Sequence, residues 1–138
     1  MPLPRKLFVN MAVQDLERSV DFFSGLGFTF DQQFTDGSAT CMNIGDGAFA
    51  MLAVPGRFKD FTSKEICDTA SHTEVLMAVS AESREAVDEM ADTAVANGGR
   101  AANDPQDLGF MYSRSFQDPD GHTWEVFWMD EAAMAAQQ

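Results

Sequence analysis

Thr73-Glu74-Val75-Leu76-Met77-Ala78-Val79-Ser80 is the stretch on which the fold turns. It alternates like a half-buried strand. Val75, Met77 and Val79 share one face, and His72, Glu74, Leu76 and Ala78 share the other. The same pattern occurs earlier, in Leu7-Phe8-Val9-Asn10-Met11-Ala12-Val13. There Val9, Met11 and Val13 oppose Phe8, Asn10 and Ala12. Val79 restates Val13, and the chain reads as a sequence that starts twice.

The segment after each strand supports the repeat. After the first, Asp15 caps a predicted helix over 16–24 with Leu16, Val20 and Phe23 on one stripe, stopped by Gly25 and Gly27. After the second, Ser83 caps a helix whose Val87, Met90, Ala91, Ala94 and Val95 form the buried stripe, ended by Gly98-Gly99. Three strand-like runs come after the first helix, at 28–34, 39–44 and 48–54, separated by Asp36-Gly37 and Gly45-Asp46-Gly47. Pro55-Gly56 breaks the last of them, and 57–71 reads as a loop with a short helical piece. The second helix leads into a short strand near 100–102 and two longer ones, 110–117 and 123–128. Asp118-Pro119-Asp120-Gly121 joins the last two as a turn. The expected fold is therefore α+β: two βαβββ modules forming a curved mixed sheet, whose faces away from the helices line a concave interior. One domain spans 1–138, with module 1 at about 5–56, a linker at about 57–71, module 2 at about 72–130, and an Ala-rich tail at 131–138 that reads as a terminal helix.

Composition narrows the function classes. Of 138 residues, 45% are hydrophobic, enough for a packed core. No run is long and apolar enough to cross a bilayer, and residues 1–15 lack a secretory pattern. The net charge of -13 argues against a nucleic-acid partner, because phosphates are held by clustered Lys and Arg. It suits a cationic ligand or solubility alone. The charge is uneven: residues 1–69 sum to -3 and 70–138 to -10. Much of that excess, Glu82, Glu85, Asp88, Glu89 and Asp92, reads as the solvated face of the second helix. Cys41 and Cys67 are too few for a disulfide scaffold and read as reduced thiols in a cytoplasmic protein.

Three passages resemble a known family. Val13-Gln14-Asp15-Leu16-Glu17-Arg18-Ser19-Val20-Asp21-Phe22-Phe23, with Leu26-Gly27-Phe28, is similar to the opening of the vicinal oxygen chelate superfamily. That superfamily includes glyoxalase I, bleomycin resistance proteins, fosfomycin resistance enzymes and extradiol dioxygenases. The restart at 73–79, with its helix closing on Gly98-Gly99, is the second passage. Phe116-Gln117-Asp118-Pro119-Asp120-Gly121-His122-Thr123-Trp124-Glu125 is the third. The nearest subgroup goes by the label of predicted lactoylglutathione lyase. The resemblance implies a glyoxalase-like fold, a homodimer, and a divalent metal (Zn, Ni, Mn or Mg) acting as a Lewis acid on vicinal oxygens of a small substrate.

Carried over residue by residue, the family's four ligand positions land on Phe8, on Met51 or a neighbour within Phe49-Ala50-Met51-Leu52, on Glu74 and on Glu125. Phe8 cannot bind a metal, and a thioether is a poor ligand for hard or borderline ions. The resemblance thus implies a degraded metal site of Glu74 and Glu125, which would also be the catalytic pair. Without a metal, two close carboxylates would share a proton and offer an acid and a base. Asn10, His72 and Tyr112 are candidate pocket residues, though the interior face of the strand carrying Tyr112 depends on register. His122 reads as structural or exposed. Phe58 and Phe61 cover a pocket mouth or pack on a partner subunit. Three functions stay open: a metal-dependent lyase or isomerase acting on a small carbonyl or thiol-conjugated substrate, a metal-free small-molecule binding protein of the bleomycin-resistance kind, and an interaction protein on an inherited scaffold.

Overall fold

A computed structural model describes residues 5–133. The chain divides into two compact units, the first ending at Cys67 and the second beginning at Asp68. Each carries its own sheet.

In the first unit, β1 (Leu7–Ala12) runs parallel to β4 (Ala48–Ala53), and β3 (Ala39–Gly45) and β2 (Thr29–Asp31) follow antiparallel, in the order β1-β4-β3-β2. Pairing puts Val9 beside Ala50, Met11 beside Leu52, and Met42 beside Ala50. Met11, Ala50, Leu52 and Met42 are buried on that face. Helix α1 (Leu16–Gly25) adds Phe22 and Phe23 to the core. The Asp15 carboxylate caps it by accepting from the Arg18 N–H at 3.1 Å. The opposite face carries Phe8, Asn10, Phe49 and Met51.

In the second unit, β5 (Leu76–Ser80) runs parallel to β9 (Thr123–Met129). Strand β8 (Met111–Gln117) lies antiparallel beyond β9, and its other edge is shared by two fragments, β6 (Arg100–Ala101) and β7 (Gln106–Asp107). Helix α3 (Arg84–Ala96) is capped by the Ser83 hydroxyl and buries Val87, Ala91 and Ala94. It covers the sheet face that carries Tyr112, Arg114 and Phe116 on β8 and Trp124 and Val126 on β9, as Arg114 shows by pairing with Asp88 and Asp92 of α3. Met77 and Val79 share that face through their pairing with Trp124 and Val126.

The α+β class and the repeat are both found, and the strands form two mixed sheets. Several boundaries differ. The run at 28–34 keeps only Thr29–Asp31 as strand; the Asp31 carboxylate accepts from the Gln33 N–H and turns the chain into a 3-10 turn, Gln32–Phe34. Pro55 opens a helix, α2 (Pro55–Phe58), instead of only ending a strand, because proline suits a first helical turn. The second strand of the second unit is split, with 102–105 looping out between β6 and β7. Residues 134–138 of the expected terminal helix lie outside the described residues.

The most consequential difference is a slip in the repeat. In the first unit the Val13 N–H donates to the Ala53 carbonyl at 2.9 Å, and the helix cap, Asp15, comes two residues later. In the second, the Ala81 N–H donates to the Phe127 carbonyl at 2.7 Å, and the cap, Ser83, again comes two residues later. Ala81, and not Val79, is therefore the counterpart of Val13. A slip of two residues is one pleat period, so it leaves every side chain on its expected face and is invisible to alternation.

Candidate functional site

The slip relocates the expected ligand positions. Phe8 lies on β1, five residues before Val13, and five before Ala81 is Leu76. Met51 sits two residues before Ala53, and Glu125 two before Phe127. The four equivalent positions are thus Phe8, Met51, Leu76 and Glu125. Glu74 is not one of them. It lies in the loop ahead of β5, where strand alternation does not apply, so Glu74 and His72 do not share a strand face with Leu76.

Glu74 has a different partner. Its carboxylate meets the His122 imidazole, with Oε1 2.8 Å from Nδ1, and His122 is buried at the turn between β8 and β9. Around it, the buried Asp118 carboxylate accepts from the His122 and Asp120 N–H groups, both at 3.0 Å, and from the Trp124 indole at 3.1 Å. Burial raises the Asp118 pKa; the nearby His122 and these donors only partly oppose it. Thr69 donates its hydroxyl to the Asp120 carbonyl. The loop carrying Thr69 and Glu74 straps down the turn. The cluster is structural, and His122 is a buried part of it.

Glu125 stands apart, in the middle of β9 on the face away from α3. Its direct neighbours are Ser115 on β8 and Ala78 on β5. Its carboxylate makes no hydrogen bond or ion pair among the described residues. The Ser115 hydroxyl accepts from the Asn103 N–H at 2.7 Å and so pins the 102–105 loop. Glu74 is bonded three residues upstream of Glu125, about 10 Å along a strand, so the structure does not join them as a catalytic pair.

The remaining candidates are scattered. Tyr112 lies on the α3 face, not with Glu125; its hydroxyl donates to Asp88 at 2.6 Å. That bond, with the Arg114 guanidinium, lowers the Asp88 pKa, and the same bond raises that of Tyr112. His72 is exposed, 2.8 Å from the Ser71 hydroxyl. Asn10 is exposed on β1 beside Met51. Its neighbours on that face include Phe8 and Phe49, stacked with ring centroids 4.8 Å apart. Phe61 is exposed beneath the Arg57 guanidinium.

The donor set does not suit the implied metal. Zinc and nickel need several His, Cys or carboxylate ligands, and even Mg or Mn needs a ring of oxygens. Phe8, Met51 and Leu76 provide no oxygen or nitrogen, leaving Glu125 alone. Among the described residues, no three His, Cys, Asp or Glu side chains are grouped to hold an ion. A further opening has no local signature in the sequence. A cleft of about 430 Å³ lies at the ends of β5 and β9 and is lined by Ser80, Ala81, Glu82, Phe127, Met129 and Glu131. Ser80, Phe127 and Met129 belong to the same sheet face as Glu125. Nothing short of the register brings Glu82 and Glu131, 49 residues apart, to one opening.

The model of the Glyoxalase/Bleomycin resistance protein/Dioxygenase superfamily matches residues 7–126. A comparison with curated proteins finds no match. Similar solved structures include a hypothetical protein from S. aureus, 24% identical over 92% of this chain and 95% of that one, with a TM-score of 0.78. A glyoxalase-related enzyme from Fulvimarina pelagi is 18% identical over 91% and 88%, with a TM-score of 0.76. The fosfomycin resistance protein from Mesorhizobium loti is 16% identical over 97% and 99%, with a TM-score of 0.69. At these identities the structures speak for the fold alone, while the family model covers most of the sequence. The chain belongs to the Glyoxalase/Bleomycin resistance protein/Dioxygenase superfamily.

Proposed function

We propose that this protein binds a small organic molecule without a resident metal, as a homodimer in the cytoplasm. The observation that carries this is the set of residues at the four positions the family resemblance marks for metal ligands: Phe8, Met51 and Leu76 are apolar, and of the four Glu125 alone carries an oxygen. Apolar side chains at those positions trade metal binding for apolar contact surface. The stacked Phe8 and Phe49 beside Met51 offer a flat, polarizable surface to an aromatic or aliphatic group. The buried thiol of Cys41 is consistent with a reducing compartment. Among the described residues, no helix is long and apolar enough to cross a membrane. The acidic charge disfavours nucleic acid as the partner.

The alternative is a metal-dependent lyase or isomerase of the glyoxalase I kind. It would hold its ion through Glu125 and water, too few donors to retain zinc or nickel against dialysis. The test is metal analysis after equilibration with Zn, Ni, Mn and Mg, beside Glu125→Ala. The expected result is no stoichiometric ion in either protein. One ion per chain in the wild type, lost in Glu125→Ala, would reverse the assignment. Light scattering at micromolar concentration checks the dimer, and a monomer mass would remove that part.

A further inference from the structure

We propose that the cleft at the ends of β5 and β9 is a binding site for an organic ammonium ion, a primary amine carried on an apolar or aromatic body. It rests on the reading of the chain as a metal-independent binding protein and names a ligand class for it. The cleft volume of about 430 Å³ is within the range of small-ligand sites. Its lining is divided by chemistry. Phe127 and Met129 are its large apolar side chains, and Glu82 and Glu131, both exposed, add two carboxylates. Among the described residues no basic side chain lines it. A cation entering meets uncompensated negative charge, an aromatic ring and a thioether.

A second observation points the same way. Ser113 lies directly opposite Phe127 on the same sheet face and is 5% exposed. Its hydroxyl has no hydrogen-bond partner among the described residues. Every fully enclosed side-chain oxygen and nitrogen among them does have one. Ser113 does not itself line the cleft; its oxygen is an unpaired hydrogen-bonding group beside Phe127, which does. Glu125, diagonal to Ser113 across the strand pair, adds an unpaired carboxylate about 7 Å away along that face. An ammonium group has three donors and no acceptor, so carboxylates and a hydroxyl meet it without mismatch. An anion would be repelled, and a neutral alcohol would forgo the charge-assisted bonds.

The experiment is calorimetric titration of the full chain with 3-phenylpropylammonium, 3-phenylpropan-1-ol and 3-phenylpropionate at low salt. The ammonium is expected to bind, with the alcohol weaker by about tenfold or more, the usual loss when a charged group forfeits its hydrogen bonds. The propionate is expected not to bind. The double variant Glu82→Gln and Glu131→Gln keeps shape, removes both charges, and should weaken the ammonium by about tenfold without altering the alcohol. Ser113→Ala, a neighbour of the lining, should weaken it less, and melting no lower than that of the wild type shows that each variant is folded. Equal binding of ammonium and alcohol, or no effect of the double variant, overturns the ammonium site and leaves the metal-free binding reading standing. Stoichiometric metal lost with Glu125→Ala removes that broader reading instead.

Discussion

At the scale of single residues, the turn at 118–122 is where the molecule is least forgiving. Gly121 has φ +89°, and a Cβ there would come 2.7 Å from the Thr69 carbonyl oxygen. Gly98 has φ +104° with open space around it. Gly121→Ala therefore meets both a left-handed backbone penalty and a backbone clash, while Gly98→Ala meets only the first. In urea denaturation Gly98→Ala should cost about 1 kcal/mol and Gly121→Ala clearly more, about 2–3 kcal/mol. Equal losses would mean that the strap carrying Thr69 moves aside freely. Glu74 belongs to the same strap. Glu74→Ala removes the carboxylate that meets the buried His122 Nδ1 and should lower stability by about 1–3 kcal/mol, while Glu74→Gln should restore most of it. Neither change should alter ligand affinity, because Glu74 fastens a turn and does not line the cleft at the ends of β5 and β9. The residue types of Asp118-Pro119-Asp120-Gly121 made it legible as a turn, since they carry their own dihedral preferences. Glu74 and His122 stayed apart in the sequence, because a contact across 48 residues has no local signature.

At the scale of elements, alternation and capping were legible and register was not. Val9, Met11, Met77 and Val79 all lie on the helix-side faces that their period of two implies. Asp15 and Ser83 cap the helices as their short polar side chains suggest. The two-residue slip that puts Glu74 in the place of Leu76 preserves that period, so only the Val13 and Ala81 hydrogen bonds reveal it. The split strand was equally hidden, because what holds β7 is a side chain on another element. Arg84, at the start of α3, makes two 2.9 Å bonds to the Asp107 carboxylate, a third to the Gly109 carbonyl, and lies 5.2 Å from the ring centres of both Tyr112 and Trp128. The guanidinium holds the Asp107 pKa down to about 2, against an ordinary value of 3.8. A depressed acid stabilises the fold above its unfolded pKa and loses that contribution as pH falls through the folded one. The stability gap between wild type and Asp107→Asn should therefore be constant above about pH 5 and shrink between pH 4 and 2. A gap that does not depend on acid would show that Arg84 holds β7 through its aromatic contacts alone.

At the scale of the whole molecule, the charge of -13 acts in two opposite ways that a single variable separates. Twenty-two acids against nine bases leave most carboxylates without a cation, so self-repulsion opposes the compact state. The ion pairs Arg57–Asp60, Lys59–Glu65, Arg84–Asp107 and Arg114 with Asp88 and Asp92 all have exposed or partly exposed partners, and such pairs contribute little. Added salt screens both repulsion and pairing, with a Debye length of about 10 Å at 0.1 M. Repulsion involves more charges at longer range, and it should dominate. The melting temperature is therefore expected to rise by a few degrees between about 10 and 200 mM NaCl, a range over which screening becomes effective. The same screening weakens the pull of Glu82, Glu131 and Glu125 on a cation, so ammonium affinity should fall across the same series. Opposite slopes from one titration would separate a global charge that destabilises the fold from a local charge that binds. If melting and affinity both fell with salt, the ion pairs would outweigh the repulsion. If affinity held constant, the carboxylates would be surface charge only, and binding would rest on Phe127 and Met129.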